Sequence, residues 1–236
     1  MTLMERTETG IGKFRHVLAG QTVVVLGAGG LDYMRPRALA SFPVISVNSS
    51  ARKWGLTPAY VVVKEHMEEA IPNRDAFPDV PIICSRGAYG GEPGETPDLG
   101  SNVTFFDHLP NKAAEFDAIR DWPTDPDQLV VSMSTITTAM HFAAYAGATT
   151  ILVCGLVCGR LEGQTHFAGY GHPADPDGEQ PDWMPAWLAS TERQALAVKR
   201  ELQRRYDVDI LGLAPWISPD LDGLNYVGAS NRINAW

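Results

Sequence analysis

The sequence has no run of 18 apolar residues, and its opening stretch MTLMERTETGIGKF carries charge without an apolar core. Neither a membrane span nor a secretory leader is therefore expected, which points to a cytoplasmic protein. Cysteine is scarce. Cys84, Cys154 and Cys158 cannot all pair, and two of them end predicted buried strands, where a reduced thiol acts as a small hydrophobe. Clustered basic residues are missing as well. With 19 Lys and Arg against 28 Asp and Glu, a formal charge of −9, non-specific nucleic-acid binding is excluded, although a nucleic-acid substrate is not. No internal repeat and no low-complexity segment is present. The common nucleotide signatures are incomplete: Gly27, Gly29 and Gly30 are followed by Asp32 where Gly-x-Gly-x-x-Gly needs a third glycine, and no Gly-Lys-Ser/Thr follows.

What is present is organised around QTVVVLGAGG, Gln21 to Gly30. Its β-branched run reads as a strand buried on both faces, and the glycines behind it permit a sharp turn at the carboxyl edge of a sheet. There, main-chain N–H groups approach a phosphate or ribose closely. A chain of 236 residues with 44% hydrophobic residues fits a single α/β domain over residues 1–236. The expected fold is a Rossmann-like open, mostly parallel sheet with helices on both faces and two long loops at the carboxyl edge. Further strands are predicted at 44–47, 59–63, 81–84, 102–106, 128–131, 150–154 and 208–213. Helices are predicted at 11–19, 37–42, 51–54, 68–71, 112–119, 136–146 and 185–206. The Gly/Pro-rich stretch at about 85–100 has the composition and length of a lid, and about 155–182 forms a polar site loop.

The polar clusters all follow predicted strands, so a parallel sheet gathers them at one edge, where ligand crevices form. Gly27, Gly29 and Gly30 form the first cluster and Asn48, followed by Ser49, the second; Asn48 suits either a helix cap or a ribose contact. Lys64, Glu65 and His66 end the third strand. Ser132, Ser134 and Thr135 open a helix, where hydroxyls and free N–H groups favour an anion or form a simple cap. The loop after residue 154 brings Arg160, Gln164, His166 and Tyr170. His166 or His66 suits a general base because an imidazole titrates near neutral pH. Arg160 and Tyr170 suit a leaving group, and His141, inside a helix, reads as structural. Cys158, His166 and His172 have no standard zinc spacing, so no metal-ligating residue is assigned. Magnesium accompanying a bound diphosphate would find ligands in Asp32 or Glu65.

Taken together, Gly27-Ala28-Gly29-Gly30-Leu31, Asn48, the Ser134-Thr135 pair and Gly163-Gln164-Thr165-His166-Phe167-Ala168-Gly169 resemble, as short motifs between about Val23 and Leu213, the DUF115 and archaeal 6-hydroxymethylpterin diphosphokinase-like proteins. More distantly, they resemble the bacterial sialyltransferases of glycosyltransferase family 42. Val157 stands where the family has Asp in a Gly-x-Asp motif, and Trp187 falls near the position of the sialyltransferases' catalytic His. The resemblance implies a transferase with a nucleotide-activated donor, most directly a glycosyltransferase-like enzyme acting on a hydroxyl acceptor. The alternatives are a diphosphokinase moving pyrophosphate from ATP to a hydroxymethyl compound, and a nucleotide-binding module without chemistry. The expected partners are a nucleotide or nucleotide-sugar and an acceptor, with homo-oligomerisation left open.

Overall fold

The computed structural model describes residues 10–29, 39–64, 66–86, 98–110, 122–125, 127–132, 134–156, 158 and 182–214. Eight strands form one sheet: β1 (Thr22–Leu26), β2 (Val44–Val47), β3 (Tyr60–Val63), β4 (Ile82–Ser85), β5 (Val103–Pro110), β6 (Gln128–Val131), β7 (Thr150–Cys154) and β8 (Asp209–Ala214). Their order is β6-β5-β4-β3-β2-β1-β7-β8, and every neighbouring pair is parallel. The β-branched runs explain this arrangement, because both faces of each strand are covered. Val23, Val25, Ile45, Val62 and Ile83 enter one core, while Val24, Leu26, Val44, Val61 and Cys84 enter cores on the opposite face. This is the Rossmann-like open sheet expected from the sequence.

Helix α3 (Thr135–Tyr145) is buried along its whole length, and it packs on β1, β2, β3, β6 and β7 and against α4 (Met184–Tyr206). The opposite face is covered by α1 (Ser50–Trp54), a π-helical turn at His66–Ala70 and α2 (Ile71–Ala76). Edge strand β6 is closed by a side chain. The backbone N–H of Val130 donates to Nδ1 of His141 at 3.0 Å, and Nε2 lies 2.9 Å from the Tyr206 hydroxyl. With Nδ1 accepting, the neutral ring carries its proton on Nε2 and donates it to Tyr206. Burial, helped by the charge of Arg205, pushes the His141 pKa down to about 3. His141 is thus a structural histidine, as its place within a helix suggested.

Several elements differ from expectation. The predicted helix at 11–19 is a 3₁₀ turn over Gly10–Phe14, because Gly10 (φ 69°) and His16 (φ 62°) hold left-handed backbone that interrupts an α-helix. β5 extends four residues beyond Phe106, pairing first with β4 and then with β6. The segment at 68–71 splits into the π turn and α2, whose Pro72 has no N–H to continue the ladder. Residues 39–42 form turns, and the predicted helix at 112–119 lies outside the described residues. Among the described residues, no helix is long and apolar enough to cross a membrane.

Candidate functional site

Strand order reverses between β1 and β7, since the chain moves outward from β1 through β2 to β6 before returning to β7. In open α/β sheets the ligand crevice lies at the carboxyl edge beside such a reversal. Here the two loops that leave the reversal grip each other. Gly27 N–H donates to the Cys154 carbonyl at 2.7 Å, and Gly29 N–H donates to the Gly155 carbonyl at 2.9 Å. A Cβ on Gly27 would lie 2.6 Å from Cδ1 of Ile136 and 2.8 Å from the Gly155 oxygen. Gly155 has φ 76°, and its Cβ would run into the Gly27 carbonyl. The absence of a side chain at Gly27 is therefore used by the protein's own backbone and by the first turn of α3.

The Gly turn and the Ser134–Thr135 helix start leave strands that are not neighbours, because β6 is five places away from β1 in the sheet. They meet because α3 crosses the sheet face and sets Ile136 against Gly27. At the start of α3, Ser134 is the N-cap, but its Oγ accepts from Ile136 N–H at a long 3.4 Å. The Thr137 hydroxyl donates to the Ser134 carbonyl at 2.7 Å and lies 2.6 Å from the Ser132 hydroxyl. Ser132 and Thr135 are buried.

Asn48 ends β2 and is buried, with φ 51°. Among the described non-glycine residues with positive φ it alone stands at the carboxyl edge, and Asn tolerates this conformation better than most. Its N–H donates to the Val62 carbonyl, which holds it beside β3. The cap for α1 comes from elsewhere: Ser46 Oγ accepts from Ala51 N–H at 2.9 Å, and Ser49 makes no side-chain cap bond. Lys64 follows β3, is 5% exposed, and donates from Nζ to the Ser132 carbonyl at 3.4 Å. It brings a positive charge to the approach to α3. In the sequence Lys64 stands only as a charge directly continuing the run Tyr60–Val63; its burial and its reach to Ser132 belong to the fold.

Gly27, Gly29, Asn48, Ser134 and Thr135 thus lie among the described residues at one edge. The backbone of His66 follows β3 at the same edge, in the π turn. Gly30, Arg160, Gln164, His166, Tyr170, Asp32 and Glu65 lie outside the described residues, as do residues 87–97 of the proposed lid and 159–181 of the site loop. The described ends of the first loop are anchored: Arg86 pairs with Asp107 at 2.8 Å, and Leu99 is buried. No group of three His, Cys, Asp or Glu gathers among the described residues. Burial pushes the thiols of Cys154 and Cys158 up to about 12, the latter with help from Glu192, so neither is an activated nucleophile.

No family model and no curated protein matches the chain. Among solved structures, it is similar to the MAf glycosyltransferase from Magnetospirillum magneticum AMB-1, at 14% identity and a TM-score of 0.49. That similarity covers 89% of this chain and 36% of the other, so the chain spans about a third of that protein's length. The fold assignment rests on the strand order itself.

Proposed function

We propose that the protein is a transferase using a nucleotide-activated donor, most directly a glycosyltransferase-like enzyme that passes a sugar to a hydroxyl acceptor. The observation that carries this reading is the abutment of the Gly27 turn and the α3 start at the carboxyl edge, with Lys64 and Asn48 on the strands between them in the sheet order. The motif resemblance to the DUF115 family supports the same reading. Ser134 and Thr135 would hold the phosphates, with Gly30 beside them and Asn48 meeting the ribose; Gly27 and Gly29, whose N–H groups go to the Cys154 and Gly155 carbonyls, would shape the turn that brings the α3 start to this edge. His166, or alternatively His66, would take the acceptor proton as its oxygen attacks the anomeric carbon and the bond from that carbon to the donor phosphate breaks. Arg160, Gln164 and Tyr170 would stabilise the departing nucleotide. A magnesium ion accompanying the diphosphate would be held by Asp32 or Glu65 and would offset the charge of the departing phosphates.

A thermal-shift screen of CMP, UDP, GDP, ATP and their sugar conjugates tests the binding, since a ligand of the native state raises Tm by mass action. Sugar release from a stabilising sugar nucleotide is the expected second result. AMP formed from ATP with a hydroxymethylpterin would replace the sugar-transfer reading by the diphosphokinase. Stabilisation without turnover would leave a binding module, which fits the loss of the family's Asp at Val157. If no nucleotide shifts Tm, the proposal fails.

A further inference from the structure

We infer that the beginning of α4 carries an aromatic platform, Trp183 with Trp187, that stacks on the nucleobase of the donor. The inference rests on the nucleotide reading above and deepens it. The topology places this platform. α4 ends at Tyr206 and leads through Asp207 and Val208 into β8, whose Asp209 pairs with Thr150 at the amino end of β7. The helix therefore ends at the amino edge and begins toward the carboxyl edge. Its 23 residues span about 34 Å, whereas the five residues of β7 span about 17 Å. Its first turns rise beyond the sheet, at the edge where Gly27 and the start of α3 lie.

The face of the helix is set by its own periodicity. Successive side chains turn about 100° around the axis, and Trp183 already has helical backbone (φ −76°, ψ −17°). In projection Trp183 falls between Ser190 and Gln194, both of which are buried. It thus continues the inward face that, lower down, buries Val198. Yet Trp183 is 48% exposed, one of two exposed large hydrophobics among the described residues. The other, Val17, is in the turns before β1, at the amino edge. The inward face therefore outruns the sheet that covers it and ends in an accessible indole on the carboxyl-edge side of the sheet.

The shape of this end suits a planar ring. The Trp183 and Trp187 rings are perpendicular, with centroids 6.2 Å apart, forming a corner with one flat side and one upright side. A neutral indole face stacks on any nucleobase, and such stacking is sequence-tolerant. With phosphates at the start of α3, which packs against α4, the base is the flat group of the donor that this corner would receive.

Calorimetric titration of the whole chain with CDP, UDP, GDP and ADP, beside inorganic pyrophosphate and a methyl glycoside, tests the assignment. Trp183→Ala is expected to weaken the bound nucleoside diphosphate by about 5- to 150-fold and leave pyrophosphate unchanged, and Trp183→Phe should recover most of the loss. Equal loss of pyrophosphate would overturn stacking in favour of a disturbed anion site. A loss confined to the glycoside would assign the corner to sugar and overturn the nucleobase. Unchanged nucleotide affinity in Trp183→Ala would reject the platform and leave the nucleotide reading standing; wild-type protein that binds no nucleotide rejects both.

Discussion

Helix α3 is packed by apolar rings toward its carboxyl end and by hydroxyls at its amino end. At the former, Phe142 meets Phe14 and Tyr60 edge-on with centroids 5.8 and 5.3 Å away, and both His141 nitrogens have partners at 3.0 Å or less. At the latter, Ser134 caps at 3.4 Å, Lys64 reaches Ser132 at 3.4 Å, and Ile136 fills the space that Gly27 leaves. The close aromatic packing fixes how the helix lies on the sheet. The long contacts leave the positive end of its dipole lightly engaged, at the edge where a phosphate would bind. One helix therefore serves stability at one end and recognition at the other, and mutations should separate the two.

The largest expected effect is at the apolar end. Phe142→Ala removes a fully buried ring from contact with Phe14 and Tyr60 and should cost about 3–5 kcal/mol in chemical denaturation. Nucleotide affinity of the folded variant should stay at the wild-type level. A folded variant that has lost its ligand would break the division between the two ends.

His141 gives that end a pH signature. Its pKa falls from an ordinary 6.5 to about 3 in the folded state, because burial disfavours the imidazolium and Arg205 repels it. The unfolded chain therefore binds a proton at a higher pH than the native one. Its contribution is fully present above about pH 6.5 and is lost as pH falls toward 3. At about 1.4 kcal/mol per unit, roughly 2 kcal/mol should be gone by pH 5. Unfolding free energies at pH 7, 6, 5 and 4 for the wild type and His141→Gln would test this, and parallel curves would remove His141 as the titrating group.

At the amino end, Lys64→Met keeps the length of the side chain and removes the charge. Losing the ammonium should weaken nucleotide binding by about 10-fold or more, the effect of a charge-assisted contact of about 1.5–3 kcal/mol, with little change in denaturation midpoint. Pyrophosphate affinity should fall with it. A stability loss of several kcal/mol with unchanged affinity would make Lys64 a structural residue.

The sequence made the sheet legible, because runs such as Val23–Leu26 and Val61–Val63 are buried on both faces and suit nothing else as well. It also made the common edge legible, since parallel strands bring the ends of β1, β2, β3 and β6 to one side. What it left open was pairing at a distance. Residue type alone does not distinguish a glycine that admits a phosphate from one that admits its own chain, and Gly27 admits Gly155 and Ile136. Nor did local pattern reveal that Val130 on an edge strand borrows its acceptor from His141. Lys64 was visible as a charge ending a strand, but its burial depends on β6, which lies 64 or more residues later.

The smallest effect, and the finest test of the amino end, is Ser134→Ala. An N-cap serine usually contributes about 1 kcal/mol through its bond to a backbone N–H of the first turn. Here that bond is 3.4 Å long, and Thr137 secures the same turn through the Ser134 carbonyl, which the substitution leaves in place. The stability cost should therefore lie at the low end, about 0.5 kcal/mol, read as a small shift in denaturation midpoint. If Ser134 instead turns its hydroxyl toward a phosphate when ligand binds, nucleotide affinity should fall by more than that stability cost implies, because the contact is charge-assisted. A variant that loses about 1 kcal/mol or more of stability and none of its affinity would show that Ser134 is a helix cap alone, and the anion site would then rest on Lys64 and the backbone at the start of α3.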